Sequence, residues 1–395
     1  MLIRPAYVLI SPARNEANFI ELTIKSVVAQ TVRPLKWIIV SDGSTDGTDE
    51  IVRQYANEHS WIELVRMPER RERHFAGKVH AFNAGYTRVK DLTFEVIGNL
   101  DADISFDDKD YFLFLMNKFA EDPRLGVGGT PYQQENSTYD YRFVNIEDVS
   151  GACQLFRREC FEEIGGYLPL KGGGVDHVAF LTARMKGWQT RTFTDKVCLH
   201  HRPAGTAQHG ALKAKFRTGA LDYALGSHPV WEVFRTAYQM SKRPFLIGGL
   251  MLGSGYLWAL LRRVERPMSP ELIAFRRREQ MRRLTKLLTG NRISSHSHIA
   301  TSSRKCSRRN RRDDASSVSL LTRLASRFMD LRRLRSFLDT SVGSQRGLVF
   351  SRPQERTKIL WLAIDVRRSP NRKRAELKKA EAATSTGRRK KGQGE

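Results

Sequence analysis

Short apolar segments alternate with amphipathic segments along the first hundred residues of the chain. The apolar segments have the length of strands, and the segments between them repeat apolar residues at helical spacing. Alternating strands and helices are typical of a mostly parallel sheet with helices on both faces. The sequence therefore predicts an α/β fold with strands at 7–10, 35–40, 61–65 and 94–100 and helices at 18–30, 48–58 and 77–89.

Polar residues follow several of these predicted strands. Asn15, Asp42 and Asp101 each come just after an apolar segment, and Asp42 opens a turn rich in Gly, Ser and Asp. In open parallel sheets, ligands bind beyond the carboxyl ends of the strands. We therefore expect these three side chains to lie at one edge of the sheet, around a bound molecule.

Two aspartates one residue apart end the apolar segment VIGNLDADI. In an extended chain, residues i and i+2 point to the same face, so Asp101 and Asp103 can reach one object. Carboxylate oxygens suit a hard divalent cation that also binds phosphate oxygens. An Asp-x-Asp pair is common by chance, and on its own it is more often a pair of solvated loop carboxylates than a metal site.

The positive charge of the chain is unevenly distributed. The net charge of +25 divides into −3 for residues 1–205, +10 for 206–290 and +18 for 291–395. A near-neutral first domain thus precedes a basic second half, which favours contact with an anionic membrane surface or with nucleic acid. The four cysteines show no C-x-x-C spacing, so they indicate neither a zinc site nor a disulfide framework.

The basic half contains one long uncharged segment. Residues 244–261 are without charge and lie between Lys242-Arg243 and Arg262-Arg263. The segment is either membrane-embedded or interfacial, or else a buried helix of a soluble domain. Residues 270–288 predict an amphipathic surface helix.

The tail, 291–395, is basic and of low complexity, and we predict it to be mostly disordered. It lacks interleaved aromatic residues, so no specific nucleic-acid partner is predicted.

Four motifs occur in a specific order in the first domain. The motifs are Arg14-Asn15-Glu16, the segment VSDGSTDGT at 40–48, Gly77-Lys78 with Asn83-Ala84-Gly85, and Asp101-Ala102-Asp103. Together they resemble the motifs of the family 2 glycosyltransferases, which have the GT-A nucleotide-sugar-binding fold. The resemblance covers about residues 5–205 and is strongest up to Ile104.

The resemblance implies a site for a nucleotide-diphosphate sugar carrying UDP, GDP or dTDP. Asp42 would bind the base or ribose, although a helix-capping turn aspartate is the alternative. Lys78 would face the nucleotide or its phosphates, and a surface lysine is equally compatible with the pattern. Asp103 would bind Mn²⁺ or Mg²⁺, and Asp101 would hold the ribose or the metal. The other residues implied to line the donor site are Pro12, Ala13, Glu16 and Ala102.

The general base of the family is an aspartate in a Glu-Asp pair that opens a helix. The matching residues here are Val175-Asp176, at the start of a predicted helix that ends before Gly187. The resemblance therefore implies Asp176 as the base, with helix capping as its alternative role. His200 or His201 could complete the metal site; adjacent strand residues point to opposite faces, so one at most would serve. A partly buried strand histidine is the alternative.

These features predict an inverting, metal-dependent enzyme that transfers one sugar at a time. Processive family members carry a Gln-x-x-Arg-Trp motif, which this sequence lacks. We expect a lipid-linked or cell-surface glycan acceptor and a location at the cytoplasmic membrane face, peripheral or with one short embedded segment. Transfer to polyprenyl phosphate is one alternative. Another is a catalytically silent membrane-associated interaction protein, which the valine at position 175 favours; a basic nucleic-acid binder is third.

Overall fold

The computed structural model describes residues 5–69, 75–134, 145–202, 210–242 and 244–288. The predicted disordered tail lies outside these ranges, and the predicted domain boundaries stay predictions. The strands are β1 (Tyr7–Ala13), β2 (Lys36–Asp42), β3 (Ile62–Met67), β4 (Val96–Leu100), β5 (Ile104–Ser105), β6 (Leu125–Gly129), β7 (Tyr132–Gln133), β8 (Cys153–Arg157), β9 (Gln189–Thr192) and β10 (Cys198–His200). The helices are α1 (Ile20–Val28), α2 (Thr48–Glu58), α3 (Phe75–Val89), α4 (Tyr111–Glu121), α5 (Arg158–Glu163), α6 (Val175–Met185), α7 (Ala211–Ala224), α8 (Pro229–Met240), α9 (Ile247–Leu261) and α10 (Pro270–Leu288).

Seven strands form the central sheet in the order β3-β2-β1-β4-β8-β6-β9. Neighbouring strands are parallel except at β8, which runs antiparallel to both β4 and β6. The predicted mostly parallel α/β sheet is therefore confirmed, with a GT-A-like arrangement. The sequence did not predict β8, because its position depends on partners about sixty residues earlier in the chain.

Helices cover both faces of this sheet, as the strand pattern requires. In β1, Val8 and Ile10 pack against α3 on one face, whereas Tyr7 and Leu9 belong to the core on the other face. Full burial of such a side chain contributes about 1.5–3 kcal/mol. Gly85 lets α3 approach closely, since a Cβ there would lie 2.6 Å from a methyl carbon of Ile10.

The predicted helix bounds agree best with the structure where the capping residues lie next to the helix in the sequence. Helix α2 has the predicted bounds, whereas α1 starts at Ile20, two residues later than expected. The delay arises because Asn15 has a left-handed backbone with φ of 55°. The turn after it closes when the carbonyl of Glu16 accepts hydrogen bonds from the amides of Phe19 and Ile20. This turn keeps the end of β1 free to line the edge of the sheet.

Glycines allow close packing of the helices after residue 210. A Cβ at Gly219 of α7 would lie 1.9 Å from the carbonyl oxygen of Leu252, and one at Gly255 would lie 1.9 Å from that of Phe216. Helices α7 and α9 therefore pack backbone to backbone. The uncharged segment 244–261 is helical only from Ile247, so α9 has 15 residues rather than the full segment.

Among the described helices, none is both long enough and apolar enough to cross a bilayer. The membrane association expected for residues 206–290 stays a prediction.

Candidate functional site

The two aspartates of the Asp-x-Asp motif lie where β4 ends. The amide of Asp101 donates a hydrogen bond to the carbonyl of Ala152 at 2.9 Å, which fixes the chain as it leaves the sheet. Asp103 is buried, with 9% of its surface exposed. Burial raises the pKa of Asp103, and the nearby charge of Asp101 raises it further. The charge of Asp101 thus lies close enough to disfavour ionisation of Asp103.

A second, three-stranded sheet brings a histidine to these carboxylates. Strand β10 pairs antiparallel with β5, which places His200 opposite Ile104 and therefore next to Asp103. The Nε2 atom of His200 lies 3.8 Å from Oδ1 of Asp103. Asp101, Asp103 and His200 each offer one ligand atom, and the three atoms lie within 4.8 Å of one another. Two carboxylates and an imidazole at this spacing fit a divalent cation such as Mn²⁺ or Mg²⁺.

The neighbouring histidine takes a different place. His201 Nε2 lies 2.8 Å from the hydroxyl oxygen of Ser105, and its ring stacks on Phe19 with centroids 6.2 Å apart. Its amide donates to the carbonyl of Asp103. Of the two candidate ligands, the structure therefore brings His200 beside the aspartates and gives His201 a supporting position.

Lys78 reaches the aspartates from α3. Its ammonium group forms an ion pair with Oδ1 of Asp101. Burial alone would lower the pKa of Lys78, but the charges of Asp101, Asp176 and Asp103 raise it overall. Lys78 is therefore a cation among carboxylates rather than an isolated surface lysine.

The predicted base lies in the first turn of α6. Oδ2 of Asp176 accepts a hydrogen bond from the amide of Gly151 at 3.2 Å, and the N-cap residue is Gly174, with φ of 80°. Burial raises the pKa of Asp176, while the charge of Lys78 and the amide of His177 act in the opposite direction. A carboxylate with a raised pKa near a cation suits a group that accepts a proton.

The predicted nucleotide-binding residues lie along the ends of β1 and β2. Pro12 and Ala13 pair in register with Val40 and Ser41, at the carboxyl edge of the sheet. Asp42 is the last residue of β2; it is 7% exposed and lies 3.8 Å from a guanidinium nitrogen of Arg14.

The turn after β2 has its own capping aspartate. Asp46 accepts hydrogen bonds from the amide and the hydroxyl of Thr48 and from the amide of Ala17. Asp46 thus performs the turn function that was the alternative role for Asp42. Ala102 has its methyl group in the core, and its carbonyl accepts a hydrogen bond from the hydroxyl of Thr23.

Two residues of the site were missed by sequence reasoning. Arg202 forms an ion pair with Glu16, its Nε lies 4.0 Å from Oδ2 of Asp103, and its guanidinium lies over the ring of Phe19. Asn99 donates to Asp101 Oδ1 at 3.3 Å and to the carbonyl of Gly151 at 2.7 Å. Both follow the alternation of an extended chain, since each is two residues from a predicted ligand. That signal was present in the sequence.

Comparisons with known proteins agree with these motifs. Residues 8–165 match the family described as Glycosyl transferase family 2. Two curated relatives are poly-beta-1,6-N-acetyl-D-glucosamine synthases, one from Staphylococcus epidermidis and one from Staphylococcus aureus strain MW2. They are 28% and 31% identical to this chain over 171 aligned positions, and each alignment covers 38% of this chain and 39% of the relative. The match thus spans about two fifths of the length of these relatives.

Solved structures resemble the fold at lower identity. A mannosyltransferase from Pyrobaculum calidifontis, in complex with GDP-Man and Mn²⁺, is 20% identical with a TM-score of 0.46, covering 73% of this chain and 89% of its own. TarS of Staphylococcus aureus in complex with UDP-GlcNAc is 15% identical with a TM-score of 0.42, covering 72% of this chain and 80% of its own. The match over residues 8–165 shows that this part of the chain is a family 2 glycosyltransferase domain.

Proposed function

We propose that this chain transfers one sugar from a nucleotide-diphosphate sugar to an acceptor hydroxyl, with inversion at the anomeric carbon. The observation that carries the proposal is the convergence of Asp101, Asp103 and His200 beside Lys78. This set combines ligands for a divalent cation with a positive charge for phosphate. The relatives named as poly-beta-1,6-N-acetyl-D-glucosamine synthases make UDP-N-acetylglucosamine the first donor to test.

Asp101, Asp103 and His200 would hold Mn²⁺ or Mg²⁺, which would neutralise charge on the leaving nucleoside diphosphate. Lys78 and Arg202 would add positive charge on the same side, since both already pair with carboxylates there. Such preorganised charges stabilise the leaving group without rearrangement during the reaction. Asp42, with Pro12, Ala13 and Glu16 near it, would contact the base and ribose.

Asp176 would act as the general base. As the acceptor oxygen forms its bond to the anomeric carbon, the bond from that carbon to the diphosphate oxygen breaks, and the acceptor proton passes to Asp176. The raised pKa of this carboxyl brings its affinity for a proton nearer to that needed at neutral pH. The inverting outcome follows from attack on the face opposite the diphosphate.

The acceptor remains a prediction from the sequence: a lipid-linked or cell-surface glycan, encountered at the cytoplasmic membrane face. Transfer to polyprenyl phosphate is the main alternative, and it places a different demand on Asp176. A phosphate acceptor is already ionised and needs no base, whereas a glycan hydroxyl does. Sensitivity of transfer to Asp176→Asn therefore separates these two reactions. The silent interaction protein is excluded if any donor is consumed.

The proposal is tested by measuring nucleoside diphosphate release from UDP-, GDP- and dTDP-sugars. In the absence of an added acceptor, water takes its place and the donor is hydrolysed slowly. We expect one donor to be hydrolysed in the presence of Mn²⁺, with loss of release in EDTA and in Asp103→Asn. The matched control is Asp107→Asn, since Asp107 is exposed four residues away. If no donor is consumed, or if release continues unchanged in EDTA, the proposed metal-dependent reaction is wrong.

A further inference from the structure

Helix α9 exposes an apolar stripe along its whole length. Ile247, Leu250, Leu257 and Leu261 recur at helical spacing, and they are 52%, 58%, 52% and 70% exposed. Ser254 is the polar residue within this stripe. Leu246 precedes the helix and Trp258 lies beside the stripe, and both are also exposed. Large contiguous apolar patches are rare on a soluble surface and mark interaction sites.

The opposite face of α9 is already fully used in packing. Gly249 approaches α8, where a Cβ would lie 2.6 Å from the carbonyl oxygen of Thr236, and Gly255 approaches α7 more closely still, at 1.9 Å from the carbonyl oxygen of Phe216. Leu252, Tyr256 and Ala259 are buried on that face. The helix is therefore held firmly by its small residues, and the apolar stripe is presented outwards by a rigid support.

Basic residues border the stripe. Arg262 and Arg263 are exposed at its carboxyl end. On α7, Lys213 and Arg217 are exposed on either side of Phe216, whose ring lies 5.8 Å from that of Trp258. Apolar side chains with an aromatic ring at the edge and cations around them fit the boundary between acyl chains and anionic headgroups.

We propose that the exposed face of α9 docks onto the surface of an anionic lipid bilayer, with the helix lying in the membrane plane. A helix of 15 residues is about 22 Å long, which is shorter than the roughly 30 Å core of a bilayer. Insertion to the depth of its outer side chains buries the stripe and leaves the packed inner face on the protein side.

A second copy of the chain fits this face less well. A two-fold interface along an antiparallel pair of α9 helices would place Arg262 and Arg263 of one copy next to Lys242 of the other. Like charges facing each other across an interface oppose association. The charge pattern thus favours a lipid surface, and self-association becomes an outcome that the experiment can detect.

The test is flotation of the full chain with phosphatidylcholine vesicles, with and without about one third phosphatidylglycerol. We expect binding that prefers the anionic vesicles and falls at least tenfold in the double variant Leu250→Ser/Leu257→Ser. The matched control is Leu35→Ser/Leu92→Ser, which removes two leucines that are 51% and 40% exposed on the first domain. Because all four residues are exposed, we expect both variants to fold.

Two further readouts make the result decisive. At about 0.5 M KCl, electrostatic attraction between the protein and the vesicles is screened. Wild type should then stay bound while the α9 variant does not. This result distinguishes binding through the apolar face of α9 from binding through the basic tail. Equal binding of wild type and the α9 variant at both salt concentrations would overturn the proposal. So would failure of wild type to bind, or a dimer in analytical ultracentrifugation that the α9 variant dissociates.

Discussion

The chain contains two groups of enclosed charges that are arranged in opposite ways. In the helical region, Asp222 is paired with both Arg235 and Arg276, so one carboxylate lies between two guanidinium groups. At the end of β4, by contrast, Asp101 and Asp103 share the neighbourhood of Lys78 with Asp176. A buried ion pair makes the loss of either partner costly to stability, whereas an excess of carboxylates creates a place for a cation.

The pKa shifts express the same difference. Burial raises the pKa of Asp103 and of Asp176, which means that the folded chain makes their ionised forms less favourable. In the helical region Arg235 is held by Asp222, whose charge raises the pKa of the guanidinium. We therefore expect substitutions in the two regions to have different consequences. Replacing a carboxylate of the site should change function, and replacing Asp222 should change the free energy of unfolding.

The largest expected effect is on turnover. Asp176→Asn removes the proposed proton acceptor but keeps an oxygen that can accept the hydrogen bond from the amide of Gly151. Transfer to a hydroxyl should fall by roughly 10²–10⁴-fold, the usual contribution of a general base, while donor binding is kept. Steady-state rates and nucleotide affinity measured on the same preparation check this. A rate within threefold of wild type would remove Asp176 from the mechanism.

The next effect is on stability. Asp222→Asn leaves Arg235 and Arg276 without their shared countercharge, although Arg276 also donates to the carbonyl of Leu225 at 2.5 Å. Breaking one side of a buried ion pair typically costs about 3–5 kcal/mol in the free energy of unfolding. Denaturant titration of Asp222→Asn measures this. Asp103→Asn serves as the comparison, because removing a mutually repelling carboxylate should leave stability unchanged or raised.

Glu232 lies in the same helical region, and its contribution to the stability of the fold depends on pH. It is 3% exposed, and within the described part of the chain neither of its carboxylate oxygens accepts a hydrogen bond of normal geometry. Burial, followed by the charge of Asp222, raises its pKa to about 7. The unfolded chain releases this proton near pH 4.5, so stability is full below that pH and is lost as pH rises towards 7.

Glu232→Gln should therefore raise the unfolding free energy by on the order of 2 kcal/mol at pH 8 and change it little at pH 4. Melting temperatures of wild type and Glu232→Gln across this range give the answer. Parallel curves for the two proteins at all pH values would show that Glu232 is not held neutral in the fold.

The smallest effect distinguishes two neighbouring histidines. His200→Gln should weaken the activation of donor binding by Mn²⁺ about tenfold, because one ligand of the cluster is lost. His201→Gln is the matched control, since its ring bonds Ser105 and stacks on Phe19 instead. Titration of donor binding against Mn²⁺ compares them. An equal or larger effect at His201 would mean that the pairing of β10 with β5 does not select the ligand.

The fold was predictable where its signals were local. The bounds of α2 follow from a turn and an amphipathic segment that lie next to each other, and the parallel sheet follows from alternating strands and helices. The reversed strand β8 and the length of α9 were not predicted, because pairing with distant strands and the backbone at Leu246 decide them.

The site was predictable in its residue types but not in its contacts. The resemblance pointed to Asp101, Asp103, Asp176 and His200, and the structure brings the first, second and fourth of these together. It could not show that Lys78 pairs with Asp101, or that Arg202 reaches Glu16 from 186 residues later in the chain. The Arg202 contact depends on how β10 returns to β5, and the Lys78 contact depends on how α3 packs against the central sheet.

The central claim is that a divalent cation on these carboxylates binds the nucleotide. Calorimetric titration of the full chain with UDP, GDP and dTDP, each with and without Mn²⁺, tests it most directly when repeated on Asp103→Asn and Asp107→Asn. We predict that one nucleotide binds wild type and Asp107→Asn only with Mn²⁺, and that Asp103→Asn loses this binding. Binding that is equally strong without the metal, or that survives in Asp103→Asn, would contradict the account.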